Sequence, residues 1–549
     1  MSYKKVLGIF LLAAMGFTAC SKLDVDVESK YTPSNFPSNN ASYAAAIGAV
    51  YSQLANTKSG DATYWMNGTG FSYGVDYWML QEFSTDEAII PARDGNYDDG
   101  GKYRFMHLHT WGSSHPYVIS AWQWGFGGIN IANNAINLVN GLPAGDYKST
   151  SLAELKTMRS LFYFFMMDLY GNVPVLDTFP VNSPPATKQR KEVFAFIEST
   201  LKSALPNLTT KVDGSTYGRA TKWLAFALLE KMYLNAEYYT GTPRYTDAVA
   251  MADSILTNAP YSLETDFTSI FKPDNGPQIK ETIFAIPYDA NLIPGCHFTR
   301  FCLHPFLKER FDLPAAFGPS VALSTIPDFY AYFNQPNDVR NKTWLSGKQY
   351  NKDGSNNIVH TTTKTLDASS PGPDTPIDWW VEISPDLTLK AGGEAKLDVG
   401  NDLKGQLKGV RSIKYYPDKN INTATRFQNT DLPVLRLADV IMMKAEAILR
   451  GATPTVVKGE LQTADVLVNK IRSRAGTTPV AGITLPMILE ERAREFAWEA
   501  WRRNDLIRFG KFEGKWGFKP ADNDVFRRVF PIPAIELALN PNLVPNPGY

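Results

Sequence analysis

The stretch GRATKWLAFALLEKMYLNAEYYTGTPRYTDAVAMADSILTNA, residues 218–259, decides the fold class. Gly218-Arg219-Ala220-Thr221 leads into a helical run, Trp223–Tyr238. Thr242-Pro243 then separates it from a second, Tyr245–Ala259, because proline cannot continue a helix. Ala225, Ala227, Ala236, Ala248 and Ala252 place small side chains where two antiparallel helices must approach closely. Just upstream, Glu192–Ala204 sets Val193, Phe196, Ile197, Leu201 and Ala204 on one face of another helix.

Working outward, the same periodicity recurs. Tyr43, Ile47, Val50, Tyr51 and Leu54 form one apolar face, and Ile129, Ala132, Ile136 and Val139 form another. Leu152–Tyr170 continues the pattern and stops at Gly171-Asn172, with Pro174 just beyond, a sequence that ends helices. Helices are predicted again over Val434–Arg450, Thr463–Ala475 and Pro486–Arg503. The last turns Ile488, Leu489, Ala493, Phe496, Ala497 and Trp501 inward. The central pair, with an early Trp, small residues in mid-helix and a late aromatic, resembles the helix–turn–helix unit of a tetratricopeptide repeat. The expected fold is mainly α: tetratricopeptide-like hairpins in a right-handed superhelical scaffold, interrupted by loop-rich excursions. The helical parts span about 41–260 and 431–549. One excursion covers 57–115; the other, about 260–430, has short strand-like runs at Thr282–Ile286 and Val410–Tyr416. Loops on a rigid scaffold are where binding residues usually sit.

Lys+Arg and Asp+Glu number 55 each, so the formal charge is zero and no basic surface argues for nucleic acid. Aromatic content is high, at 13%. Trp65, Trp78, Trp111, Trp122 and Trp124 cluster early, and Trp379-Trp380 form a later pair. They are either core filler or flat stacking surfaces for a ligand. Cys296 and Cys302 could close one local disulfide or stay as free thiols, and their spacing completes no zinc pattern. Asp94-Gly95-Asn96-Tyr97-Asp98 begins like a calcium loop, but Asp99 and Phe105 replace the glycine and glutamate that such a loop requires. His107-x-His109 would put two imidazoles on one face of a strand, with His115 following, but no third ligand or orienting shell can be assigned, which favours structural histidines. Asp86-Glu87 and Glu490-Glu491 are paired only in sequence; neither is predicted to face a partner across a cleft. No catalytic, cofactor or metal motif completes itself.

The first residues read as an export signal: Lys4-Lys5, an apolar Val6–Met15, then small residues before Cys20. That apolar run is too short to span a bilayer. Cleavage before Cys20 would leave it as the acyl acceptor of a lipoprotein, with residues 1–19 as signal and 20–40 as a polar tether. Two or more acyl chains would be needed for stable anchoring.

These blocks together resemble the SusD/RagB family of outer-membrane nutrient-binding lipoproteins. Arg159, Tyr163-Phe164-Phe165 and Leu169-Tyr170-Gly171-Asn172-Val173-Pro174 look like one family block. Gly218-Arg219-Ala220-Thr221 with Leu234-Asn235-Ala236 looks like another. Further matches are Leu435-Arg436-Leu437-Ala438-Asp439 with Lys444-Ala445-Glu446-Ala447, and Glu490-Glu491-Arg492 through Arg502-Arg503-Asn504-Asp505-Leu506-Ile507-Arg508. Pro531-Ile532-Pro533 and Asn546-Pro547-Gly548-Tyr549 complete the series. The resemblance implies one domain over 41–549 that binds oligosaccharide on aromatic side chains, without cofactor or catalysis. It also implies docking on a TonB-dependent outer-membrane transporter (SusC-like) and a lipid-anchored location, facing outside. By position it points to Arg93, Asn96 and Tyr97 beside Thr85-Asp86-Glu87, and to Asn291, Phe298 and Phe317 in the insertion. Ala92 and Phe317 stand where relatives often carry Trp, which leaves sugar specificity open. The rival readings are a surface glycoside hydrolase, which needs two carboxylates facing each other at roughly 5–9 Å, and a helical scaffold that binds protein alone.

Overall fold

The computed structural model describes residues 40–55, 72–370, 372 and 374–549. The signal segment, Cys20, the tether up to residue 39 and Trp65 lie outside them.

The principal helices are α1 (Asn40–Ala55), α2 (Pro116–Asn140), α3 (Asp146–Tyr170), α4 (Arg190–Ala204), α5 (Lys222–Leu234) and α6 (Tyr245–Asn258). After the insertion come α7 (Leu437–Leu449), α8 (Ala464–Arg474), α9 (Leu485–Phe496) and α10 (Arg502–Arg508). Neighbours pack in series: α1 on α2, α2 on α3, α3 on α4, α5 on α6, α6 on α7 and α7 on α8. This is the expected array of helical hairpins. Two glycines let α2 and α3 close up: a Cβ at Gly125 would sit 2.2 Å from Met166, and one at Gly128 would sit 2.5 Å from Phe162. From Met158 to Tyr170, α3 is buried on every side, so it is the axis of the main core. Gly171, at φ 71°, ends it. A capping box of Gln189 and Glu192 starts α4.

The insertion contributes only short strands. β1 (Thr282–Ile286) pairs antiparallel with β4 (Leu432–Arg436), while β2 (Ile358–Thr362) and β3 (Pro376–Trp380) form a hairpin. The β1–β4 pair joins the start of the insertion to its end, so the excursion leaves the helical array and returns at one place. The strand expected over Val410–Tyr416 shrinks to Arg411–Ser412, paired with Trp344–Leu345.

Two expectations fail for physical reasons. Residues 73–83 are helical although they lie in the first irregular excursion: a π-turn, Tyr73–Tyr77, runs into Trp78–Phe83. Every residue there is buried, so no polar face existed to give the segment a period. The helix expected over Pro486–Arg503 breaks between α9 and α10, where Trp498 and Ala500 adopt positive φ (62° and 65°). Their backbone N–H groups are taken by buried carboxyls, Trp498 by Glu87 at 2.7 Å and Ala500 by Glu82 at 2.5 Å. Trp78, Trp111, Trp122, Trp124 and Trp498 are all core residues.

Candidate functional site

Residues 88–97 run along the base of the insertion. Ala88–Ile89 pairs with Ser324–Thr325, and Ala92 bridges to Asp398. The chain then turns, with Arg93 and Asn96 exchanging backbone hydrogen bonds of 2.9 and 3.0 Å. Asp94 and Tyr97 have positive φ (49° and 61°), a conformation unusual for side chains of that size and one that collects at functional sites. Asn96 is exposed, and Tyr97 is half-buried against the main core.

Arg93 does not share their solvent. It is fully buried, and its guanidinium donates to the carbonyls of Gly405 and Lys408. Burial and the neighbouring Arg411 depress its pKa. It ties the 400–409 loop to the turn and does not face a ligand.

The insertion brings further loops to the same place. Asp289 and Ile293 bridge a turn whose exposed member, Asn291, accepts a 2.8 Å hydrogen bond from the Asn422 side-chain amide. The other end of that amide accepts from Ala424 N and Thr425 N, both at 3.0 Å, and the Asn422 carbonyl accepts from Arg426 N at 2.7 Å. Arg426, at φ 63°, reaches the Gly318 carbonyl at 3.5 Å and lies within electrostatic reach of Tyr97. Tyr97, Asn291, Asn422 and Arg426 are thus linked across separate loops, with exposed Asn96 next to Tyr97 in the chain. Asn422 and Arg426 were not singled out in the sequence; an Asn- and Thr-rich loop was the only signal.

Phe298 and Phe317 are not on this face. Phe298 is 4% exposed and stacks on Tyr415 at 4.2 Å, with Trp78 at its edge. Phe317, 1% exposed, belongs to a separate apolar cluster with Leu303, Leu307, Phe311 and Ile421. Both rings are packing residues that fix the loops from beneath. The Trp379-Trp380 pair is half-buried: Trp379 packs on that second cluster, and Lys348 sits 3.7 Å over the ring of Trp380.

Three of the four paired acids, Asp86, Glu87 and Glu491, hold the fold. Asp86 receives two hydrogen bonds from Arg502 at 2.8 and 2.7 Å. Glu87 shares a hydrogen bond with Glu82, and burial first of all raises both carboxyls, Glu82 to about 7. Glu491 is held by Arg340, Arg472 and Arg494, while Glu490 is exposed. Asp86 and Glu490 line one cavity together with Asp328, where Asp86 is tied to Arg502. His107, His109 and His115 are buried with lowered pKa values, chiefly through desolvation. His109 hydrogen-bonds the Ser84 carbonyl, His115 the Lys102 carbonyl, and His107 accepts from Phe518 N. Asp94 and Asp98 are engaged by Lys390 and Lys396. Cys296 and Cys302 are buried free thiols.

A family model described as "SusD family" matches residues 394–549, and one described as "Starch-binding associating with outer membrane" matches residues 73–234. The starch-binding protein SusD of Bacteroides thetaiotaomicron is 28% identical over 438 residues, covering 72% of each chain. SusD-like protein P2 of Formosa agariphila is 23% identical with both chains covered in full. Among solved structures, surface glycan-binding protein A from Bacteroides thetaiotaomicron with laminarihexaose superposes at a TM-score of 0.65 (19% identity; 92% and 99% of the two chains). A laminarin-binding SusD-like protein gives 0.67 (20% identity; 93% and 100%). The two models match separate parts of the chain, the relatives align across most of it, and the helical array is shared: the chain belongs to the SusD/RagB family.

Proposed function

We propose that this chain captures oligosaccharide at a membrane surface and delivers it to a TonB-dependent outer-membrane transporter. The observation that carries the reading is the convergence of Asn96, Tyr97, Asn291, Asn422 and Arg426 on one loop face, in a chain whose relatives include named starch- and laminarin-binding proteins. A sugar ring offers a C–H face to an aromatic ring and hydroxyls to planar amides and guanidinium. Individually weak contacts add along an oligosaccharide, less the cost of ordering it. Asp86 and Glu491 are engaged by arginines and Glu87 is buried beside Glu82, which supports binding without bond cleavage. Cys20 would carry the acyl chains that hold the protein at the outer face of the membrane, with the helical array free to dock on the transporter.

Calorimetric titration with a panel of neutral and acidic oligosaccharides tests the reading, followed by chromatography of the recovered ligand. Binding with the ligand returned intact is expected. Time-dependent shortening that a single carboxylate substitution abolishes would replace capture by hydrolysis. Cys20→Ala should release the protein from washed membranes, and its retention there would remove the lipid anchor.

A further inference from the structure

Arg426 is a sparsely satisfied charge on the loop face. Two buried arginines that lack a carboxylate each donate to more than one backbone carbonyl. Buried Arg411 donates to the carbonyls of Leu323, Gln406 and Lys408, and buried Arg503 to those of Arg527 and Arg528. Arg426 is half-exposed and has a single, long contact to the Gly318 carbonyl. No ion pair reaches it among the described residues.

The acids nearby are already committed. Asp418 accepts from Asn420 N, Asn429 N and the Asn429 amide at 2.8, 2.9 and 2.6 Å. Asp289 accepts from Asn291 N and Leu292 N. Asp94 and Asp398 share Lys390. His297, within electrostatic reach of Arg426, is buried and held neutral, so it adds no second positive charge there. The backbone on both sides of the charge is locked: Asn422 caps Ala424 and Thr425, and Arg426 itself has positive φ. The loop therefore presents a guanidinium with open donor positions next to a tyrosine and the Asn291–Asn422 amides. A guanidinium fork matches a carboxylate or a sulfate by two parallel hydrogen bonds, a geometry no neutral hydroxyl reproduces.

We infer that the glycan this face takes is anionic, with a uronic-acid carboxylate or a sulfate ester seated on Arg426 and the adjoining ring on Tyr97. The inference rests on the glycan-binding reading above and adds the substrate class to it. Arg93 cannot supply the charge, because it is fully buried, with its guanidinium turned to the Gly405 and Lys408 carbonyls.

The experiment titrates the protein with oligogalacturonate and oligoalginate as carboxylate probes, chondroitin sulfate and carrageenan oligosaccharides as sulfate probes, and laminarihexaose and maltohexaose as neutral ones. One of the two anionic arms should bind, with affinity falling as salt rises. Arg426→Gln should weaken that probe by about tenfold to a hundredfold, the scale of a charge-assisted hydrogen-bonded pair. Arg426→Lys, which keeps the charge and loses the fork, should fall in between. Lys419→Gln, at an exposed lysine seven positions earlier, controls for non-specific attraction and should leave affinity unchanged. Thermal melts of each variant verify folding. Binding of neutral probes alone, or anion binding equal in Arg426→Gln and the parent, would overturn the inference and leave the glycan reading standing. Binding of no probe would remove both.

Discussion

Arg426 and Arg436 lie on one short stretch of chain and show two uses of the same side chain. Arg436 is buried and surrounded: it donates to Glu281, Glu495 and Glu499 at 2.6–2.8 Å and to the Glu495 carbonyl. Those acids are shared with Arg340, Arg474 and Lys414, so β1, β4, α8 and α9 meet in one ion-pair network. Arg426 sits on a loop beside a tyrosine and two amides with almost nothing to hold. A buried charge must be paired, because desolvation costs several kcal/mol per ion. A half-exposed one can stay open. The family-like motif rich in Glu and Arg is thus the mark of the scaffold, and the loop without such a motif carries the open charge.

The comparison breaks first if the core tolerates losing its charges. Arg436→Met should cost about 3–5 kcal/mol, because three buried carboxylates lose a partner. Denaturant melts check this; a melting curve close to the parent's would mean the network is not a support. Phe298→Ala should cost a similar 3–5 kcal/mol, the range for emptying an aromatic site in a core. Its glycan affinity, measured on the folded fraction, should hold. A stable Phe298→Ala with weakened affinity would instead return that ring to the ligand. Tyr97→Ala should behave in the opposite way, losing roughly 1–2 kcal/mol of glycan binding with little change in melting temperature. Unchanged affinity with lowered stability would make Tyr97 a packing residue like Phe298.

The contrast also explains what could be read from the chain. Helices with one polar face, such as α4 and α6, announce themselves through spacing. Tyr73–Phe83 does not, because burial on every side erases the period. Arg93, Asn96 and Tyr97 were singled out together, by position from the family resemblance, in a Gly- and Asp-rich loop next to Thr85-Asp86-Glu87; Arg93 is buried, Asn96 exposed and Tyr97 half-buried. Phe298 and Phe317 were singled out as aromatics in an irregular stretch. Sequence alone does not tell whether a loop aromatic points out or fills a second small core, and here Leu303, Leu307 and Ile421 supply that core. Arg426 and Asn422 were illegible because their significance is relational: it depends on Gly318, Asn291 and Tyr97, each from a different loop.

The smallest expected effect separates core from loops by pH. Glu82 and Glu87 share a hydrogen bond inside the protein while holding the backbone of Ala500 and Trp498. Burial raises both carboxyls, and Arg502 opposes this only in part at Glu87. In the unfolded chain a glutamate titrates near 4.3. Between there and about 7 the folded pair therefore holds more proton than the unfolded chain, and its contribution to stability falls as pH rises through that window. The raw melting curve mixes this with other groups. Asp76, raised to about 8, adds to the fall. The buried neutral histidines His107 and His115, lowered to about 3 and 4, act in the opposite direction below the ordinary histidine range. The informative quantity is therefore the difference between Glu82→Gln, which mimics the protonated acid, and the parent. That difference should favour the variant increasingly from pH 4.5 to 7 and level off above the pair's titration. Glycan affinity of the variant should follow the parent at each pH, since Glu82 lies in the core and not on the loop face. A flat difference across the range would mean the pair ionises freely and does not clamp the turn between α9 and α10.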